Sequence, residues 1–133
     1  MSTLRGVVLA FVAFSGISPS GAQNQDAQVK TLPQAKYPMI ASWLRVEGYC
    51  EVRFAVDEEG YPFGITPSCT RPIFCFDAKR AVAAATFSPK LIDGVPSVRT
   101  NVIFPMEYAF EGSDYNLETD PRPLELCEEK AIA

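Results

Sequence analysis

Four cysteines, Cys50, Cys69, Cys75 and Cys127, are the residues of this 133-residue chain best suited to covalent chemistry. They are separated by 18, 5 and 51 residues, and the chain has no histidine. A structural zinc site uses short, paired ligand spacings, and a thioredoxin-like redox site uses Cys-x-x-Cys; neither pattern occurs. An even set of cysteines in a chain carrying an export signal points instead to disulfides. Three pairings are open to four cysteines, and strand register ranks them. With Val56 set opposite Phe63 in a hairpin, Phe54 faces Ile65, Val52 faces Pro67 and Cys50 faces Cys69. Opposed β-carbons lie about 4.5–5.5 Å apart, within reach of a disulfide. This favours Cys50–Cys69, with Cys75–Cys127 stapling the tail to the body. The competing map is Cys69–Cys75 with Cys127 free.

Other chemistries lack their residues. Without histidine, Ser-His and Cys-His nucleophile arrangements cannot form. The carboxylates of Asp57-Glu58-Glu59 sit where a turn is expected, so they read as a solvated hairpin tip rather than an acid–base pair. Gly60 and Gly64 precede no helix, so they make no phosphate-binding loop. The expectation is a protein that is not an enzyme, with no catalytic residue, metal, cofactor or small-molecule substrate.

The charge balance narrows the partners. The chain carries 12 Lys and Arg against 16 Asp and Glu. Residues 37–110 are close to neutral, with seven basic and eight acidic side chains, whereas residues 111–133 hold seven acids against Arg122 and Lys130. No basic stripe exists to neutralise phosphates, which excludes nucleic acid as a partner.

The N-terminus reads as a processing signal. A short basic start (Met1 to Arg5) precedes the uncharged apolar run Gly6 to Ile17 and the small residues Ser18 to Ala22. Twelve apolar residues fall short of the roughly 20 that span a bilayer, so a signal peptide over 1–22, cleaved after Ala22, is expected. The alternative is an uncleaved inner-membrane anchor. Residues 23–36 then read as a linker, 37–110 as the folded domain, and 111–133 as an acidic, solvated tail.

Within 37–110 the periodicities are clear. Pro38 suits the first turn of a helix, on which Ile40, Trp43 and Leu44 share a face, and Gly48 is placed to end it. Trp43 is expected as a core anchor. Cys50, Val52, Phe54 and Val56 alternate on one strand face; Asp57 to Gly60 supplies a turn; Phe63 and Ile65 resume the alternation. Phe74, Ala78, Ala81, Val82 and Ala85 describe the buried face of a second helix that Pro89 ends, with Asp77, Lys79 and Arg80 pointing elsewhere. Asp93-Gly94 is a turn signal. A last strand alternates Val102, Phe104, Met106, Tyr108 and Phe110 inward, and Pro105 within it marks a sheet edge. The expected fold is α+β: a small two-layer sandwich, helix–hairpin–helix–strand, with a three-stranded antiparallel sheet under two helices.

These residues resemble the C-terminal domain of the TonB energy-transducer family. The resemblance rests on Tyr37-Pro38; Arg45-Val-Glu-Gly48 before the first strand; Val52-x-Phe54-x-Val56 followed by Asp57 and Gly60; Phe74 with Ala81-Val82; Phe87-Ser-Pro89; and Asp93-Gly94 before the final strand. It covers about Tyr37 to Phe110. The chain departs from the family in Ala85, where an aromatic is common, and in a short lead-in where family members carry a membrane helix and a long Pro-rich spacer.

The resemblance implies a periplasmic domain that grips an extended segment, the Ton box of an outer-membrane transporter, by adding it to a sheet edge. The docking edge would be Arg99 to Phe110, carried by Arg99, Asn101, Val102, Ile103, Phe104 and Tyr108. Gln34, Lys36 and Tyr37 would form the lead-in. The expected partner is thus a protein or peptide in energy-dependent outer-membrane transport. The alternative is a disulfide-stapled structural envelope protein whose edge strand pairs with itself in a homodimer.

Overall fold

A computed structural model describes residues 23–128. In chain order the elements are β1 (Gln28–Thr31), α1 (Met39–Trp43), β2 (Gly48–Val56), β3 (Pro62–Cys69), α2 (Cys75–Ala83), β4 (Thr86–Ser88), β5 (Lys90–Ile92), β6 (Val95–Ser97), β7 (Arg99–Tyr108) and β8 (Glu125–Leu126). The class is α+β, as the periodicities predict. The main sheet is antiparallel and ordered β7-β2-β3-β8. It has four strands where three are expected, the fourth being supplied by the tail. The signal peptide expected over 1–22 lies outside the described residues. No helix among those described is long and apolar enough to cross a membrane.

The core follows from alternation. Cys50, Val52, Phe54 and Val56 of β2, with Val102, Phe104, Met106 and Tyr108 of β7, are all buried on one face of the sheet. The second helix covers that face with Ala78, Ala81 and Val82, joined by Phe74 from the turn just before it. Its small side chains bring the backbone close to β2 and β3, and the burial of these apolar groups drives the two layers together. Phe74 stacks on Tyr108 with ring centroids 4.4 Å apart, and Phe54 meets Phe87 at 5.4 Å. Gly48 is required here: a β-carbon on it would lie 2.6 Å from the Phe74 ring.

Several local expectations change. The first helix is one turn and a fraction, and its buried residue is Ala41; Trp43 is 76% exposed and joins Met39, Ile40 and Leu44 on an outer apolar face. So short a helix cannot bury a whole stripe, and the smallest side chain takes the inner position. The helix ends through Arg45 in the left-handed region (φ 57°) rather than at Gly48, which opens β2. The second helix stops at Ala83, well before Pro89, because Phe87 donates its N–H to the Gly60 carbonyl and β4 pairs with β1. Residues 23–36, read as a linker, therefore contain a strand. Asp93 and Gly94 both have positive φ between β5 and β6, the geometry of a tight two-residue hairpin turn.

In the β2–β3 hairpin, Cys50↔Cys69 and Val52↔Pro67 are opposed, but Val56 meets Pro62 rather than Phe63. A bulge at Gly64 (φ 62°) inserts one residue, and Phe63 turns outward as a result. Both disulfides are present: Cys50–Cys69, with Cα atoms 4.1 Å apart, and Cys75–Cys127, at 5.9 Å.

Candidate functional site

The direction of the backbone groups on β7 can be traced from one residue of β2. Tyr49 accepts from the Thr70 N–H at 2.9 Å, and its own N–H donates to the Thr70 hydroxyl at 3.0 Å. Both Tyr49 backbone groups thus point toward the β3 side. Along a strand this direction alternates, so Gly48, Cys50, Val52 and Phe54 turn toward β7. Their register partners are Tyr108, Met106, Phe104 and Val102. These four close the internal ladder, and the residues between them, Ile103, Pro105 and Glu107, turn their backbone groups to the outer side. Among the described residues no strand pairs with that side.

Pro105 thereby loses no internal hydrogen bond, which explains how a proline occupies a ten-residue strand. It offers the rim an acceptor and no donor. Ile103 offers both a donor and an acceptor, and its side chain, on the sheet face away from the core, is 36% exposed.

The predicted edge residues divide accordingly. Val102, Phe104 and Tyr108 are buried and hydrogen-bond inward, so they shape the strand without presenting it. Asn101 adopts a left-handed φ of 55° where the β2–β7 register slips between Phe54 and Val56. This bulge curls the start of the strand, and Arg99 is drawn off to Asp26 at 2.8 Å. The straight rim runs from Val102 to Tyr108, shorter than the span 99–110. Pro105, which in the sequence marks a sheet edge, belongs to that rim.

The lead-in residues are anchored by a side chain expected to lie off the buried face of the second helix. Asp77 is buried, 6% exposed. Its Oδ2 accepts from the Tyr108 hydroxyl at 2.7 Å and from the Lys36 N–H at 2.9 Å, and its Oδ1 accepts from Arg80 Nη2 at 2.7 Å. Arg80 Nη2 also donates to the Gln34 carbonyl at 3.0 Å. The carboxylate therefore links the lead-in, the second helix and the end of β7, with its charge matched by Arg80. Asp77 lies one turn before Arg80 on the helix, an i,i+3 acid–base pair visible in the sequence.

Tyr37 stacks on Phe110 at 4.7 Å and meets Phe74 and Tyr108 edge-on at 5.8 and 6.0 Å, while its hydroxyl donates to the Val46 carbonyl. Arg45 also lies over the Phe110 ring, 4.3 Å from its centroid. Burial, with Glu47 adding to it and Arg45 opposing, pushes the Tyr37 phenol up to about 12. Burial and the Asp77 carboxylate also push the Tyr108 phenol upward, so both rings stay neutral hydrogen-bond donors. Gln34, Lys36 and Tyr37 are thus brought together at the C-terminal end of the open strand.

No match was found among curated proteins. The family model described as the Gram-negative bacterial TonB protein C-terminal matches residues 33–110, from the lead-in to the end of the open strand. By that match, covering more than half of its length, the chain belongs to the TonB C-terminal family.

Proposed function

We propose that this protein is a non-enzymatic periplasmic binding domain that takes an extended peptide as an added strand along β7. The peptide we favour is the Ton box type of segment from an outer-membrane transporter, which the family membership makes the first candidate. One observation carries the reading: Ile103 and Pro105 aim backbone groups away from the sheet at a strand with no neighbour on that side among the described residues. An added strand completes such a rim by hydrogen bonds, and exposed side chains such as Ile103 then give selectivity. The tie from Asp77 to Lys36 holds the lead-in at one end of the rim, so a peptide meets a formed edge and little ordering is required of the protein.

The test is a titration of the chain with a Ton box peptide, followed by backbone amide resonances. Shifts should concentrate between Val102 and Tyr108, with Ile103 the largest. Shifts elsewhere with this segment unchanged would refute it. A concentration-dependent change in the same amides without peptide, matched by a dimer in sedimentation, would favour self-pairing of the edge.

A further inference from the structure

The two disulfides are not independent. Cys127 Sγ lies 3.6 Å from Cys69 Sγ, a nonbonded approach at van der Waals distance between the two bridges. The ligand atoms of Cys69, Cys75 and Cys127 all fall within 4.8 Å of one another. Cys50, Cys69 and Cys75 are buried, whereas Cys127 is partly exposed. Cys69, Cys75 and Cys127 line a cleft of about 310 Å³ with Pro72, Glu125 and Leu126. Cys127 is therefore the half-cystine most open to solvent, and its sulfur touches the other bridge.

We propose that Cys127 is the entry point of a thiol–disulfide exchange site, whose co-reactant is a dithiol reductant. A dithiol thiolate attacks Cys127 Sγ, and Cys75 leaves as a thiolate that takes up a proton. The second sulfur of the dithiol then displaces Cys127, and the dithiol departs as a closed disulfide carrying away the two-electron oxidation. The released Cys127 thiolate attacks Cys69 Sγ. The Cys69–Cys127 bond forms, the Cys50–Cys69 bond breaks, and Cys50 leaves as a thiolate and is protonated. The second exchange needs no further reductant, since one disulfide is broken and one made. Its effect is to move the covalent tie of the tail from the helix to β3. Ser68 and Cys69 already pair with Leu126 and Glu125, so the tail strand stays fastened while the helix is freed. This inference is independent of peptide binding at β7.

The full chain is treated under native conditions with a small dithiol such as dithiothreitol, at the dose that opens one bridge per molecule. It is then quenched in acid, alkylated and mapped by peptide mass. The expected singly reduced species carries alkyl groups on Cys50 and Cys75 and a Cys69–Cys127 cross-linked peptide. Alkylation of Cys75 and Cys127 with Cys50–Cys69 intact would overturn the proposal, as would opening of Cys50–Cys69 while Cys75–Cys127 persists. A Cys75→Ser variant isolates the second step without reductant, because its single thiol begins at Cys127. There the label is expected to shift to Cys50, and a label confined to Cys127 would contradict the exchange. Should that variant fail to fold, the limiting reduction of the unaltered chain decides alone.

Discussion

On the β3 side of the main sheet, three features converge on one edge. The tail contributes β8, the Cys127 N–H donates to the Pro67 carbonyl at 2.9 Å, and the Cys75–Cys127 disulfide fastens the same segment to the helix. On the β7 side the described residues add no strand, and the edge is limited only by a bulge at Asn101 and the donor gap at Pro105. An exposed edge invites uncontrolled pairing, and proteins that keep one commonly shorten or interrupt it. Here one edge is covered at its Ser68–Cys69 end by a tail strand that a disulfide holds, and the other is trimmed to a rim of a few residues. The contrast teaches that the acidic tail serves the fold at the edge opposite the proposed site, leaving that site clear.

The largest expected effect comes from releasing the tail strand. Replacing both Cys75 and Cys127 with Ser frees a loop spanning 52 residues, which by loop-closure entropy costs about 4 kcal/mol. Urea unfolding should report that loss, and amides near Ser68 should exchange faster, while peptide binding at β7 is retained. Next is Asp77→Ala, which strips acceptors from the Tyr108 hydroxyl, the Lys36 N–H and Arg80. It should lower stability by roughly 2–3 kcal/mol and loosen residues 34–37 in backbone relaxation measurements. Ile103→Pro acts on the open edge alone. It removes an outward donor and no ladder bond, so peptide affinity by calorimetry should fall on the order of tenfold, with little change in melting temperature.

The smallest effect is with pH. The Tyr37 phenol is raised from 10 to about 12 in the fold, so the folded state binds the extra proton between those values. Stability is then full below pH 10 and declines as pH rises toward 12. Tyr37→Phe should lessen that decline in alkaline unfolding curves, the raised Tyr49, Tyr108 and Tyr115 phenols supplying the remainder.

Much of this was legible from residue order. Strict alternation marked β2 and β7, because a sheet packed on one side sorts its side chains with a period of two. The shared register of Cys50 and Cys69 anticipated the bridge, and their 4.1 Å Cα spacing suits a pair not joined by ladder hydrogen bonds. What escaped were features set by long-range partners. Phe63 turns outward because of a single inserted residue at Gly64. Asp77 is buried because Tyr108 and Lys36, far away in sequence, need its oxygens. Trp43 is exposed although its spacing matched a helical stripe, since five residues cannot bury one. Glu125–Leu126 is too short and too polar to read as a strand; it forms because Pro67 and Cys69 hold out an edge and Cys127 is tied beside it. The rim itself could be located only after Tyr49 was seen to bond Thr70.

Amide hydrogen exchange along β7 in the free chain tests the open rim most directly. Val102, Phe104 and Met106 should be protected and Ile103 should exchange far faster, with the Ile103 amide becoming protected once peptide is added. Equal protection of Ile103 and its neighbours in the free monomer would mean that the outer side is already covered, and the strand-addition account would fall.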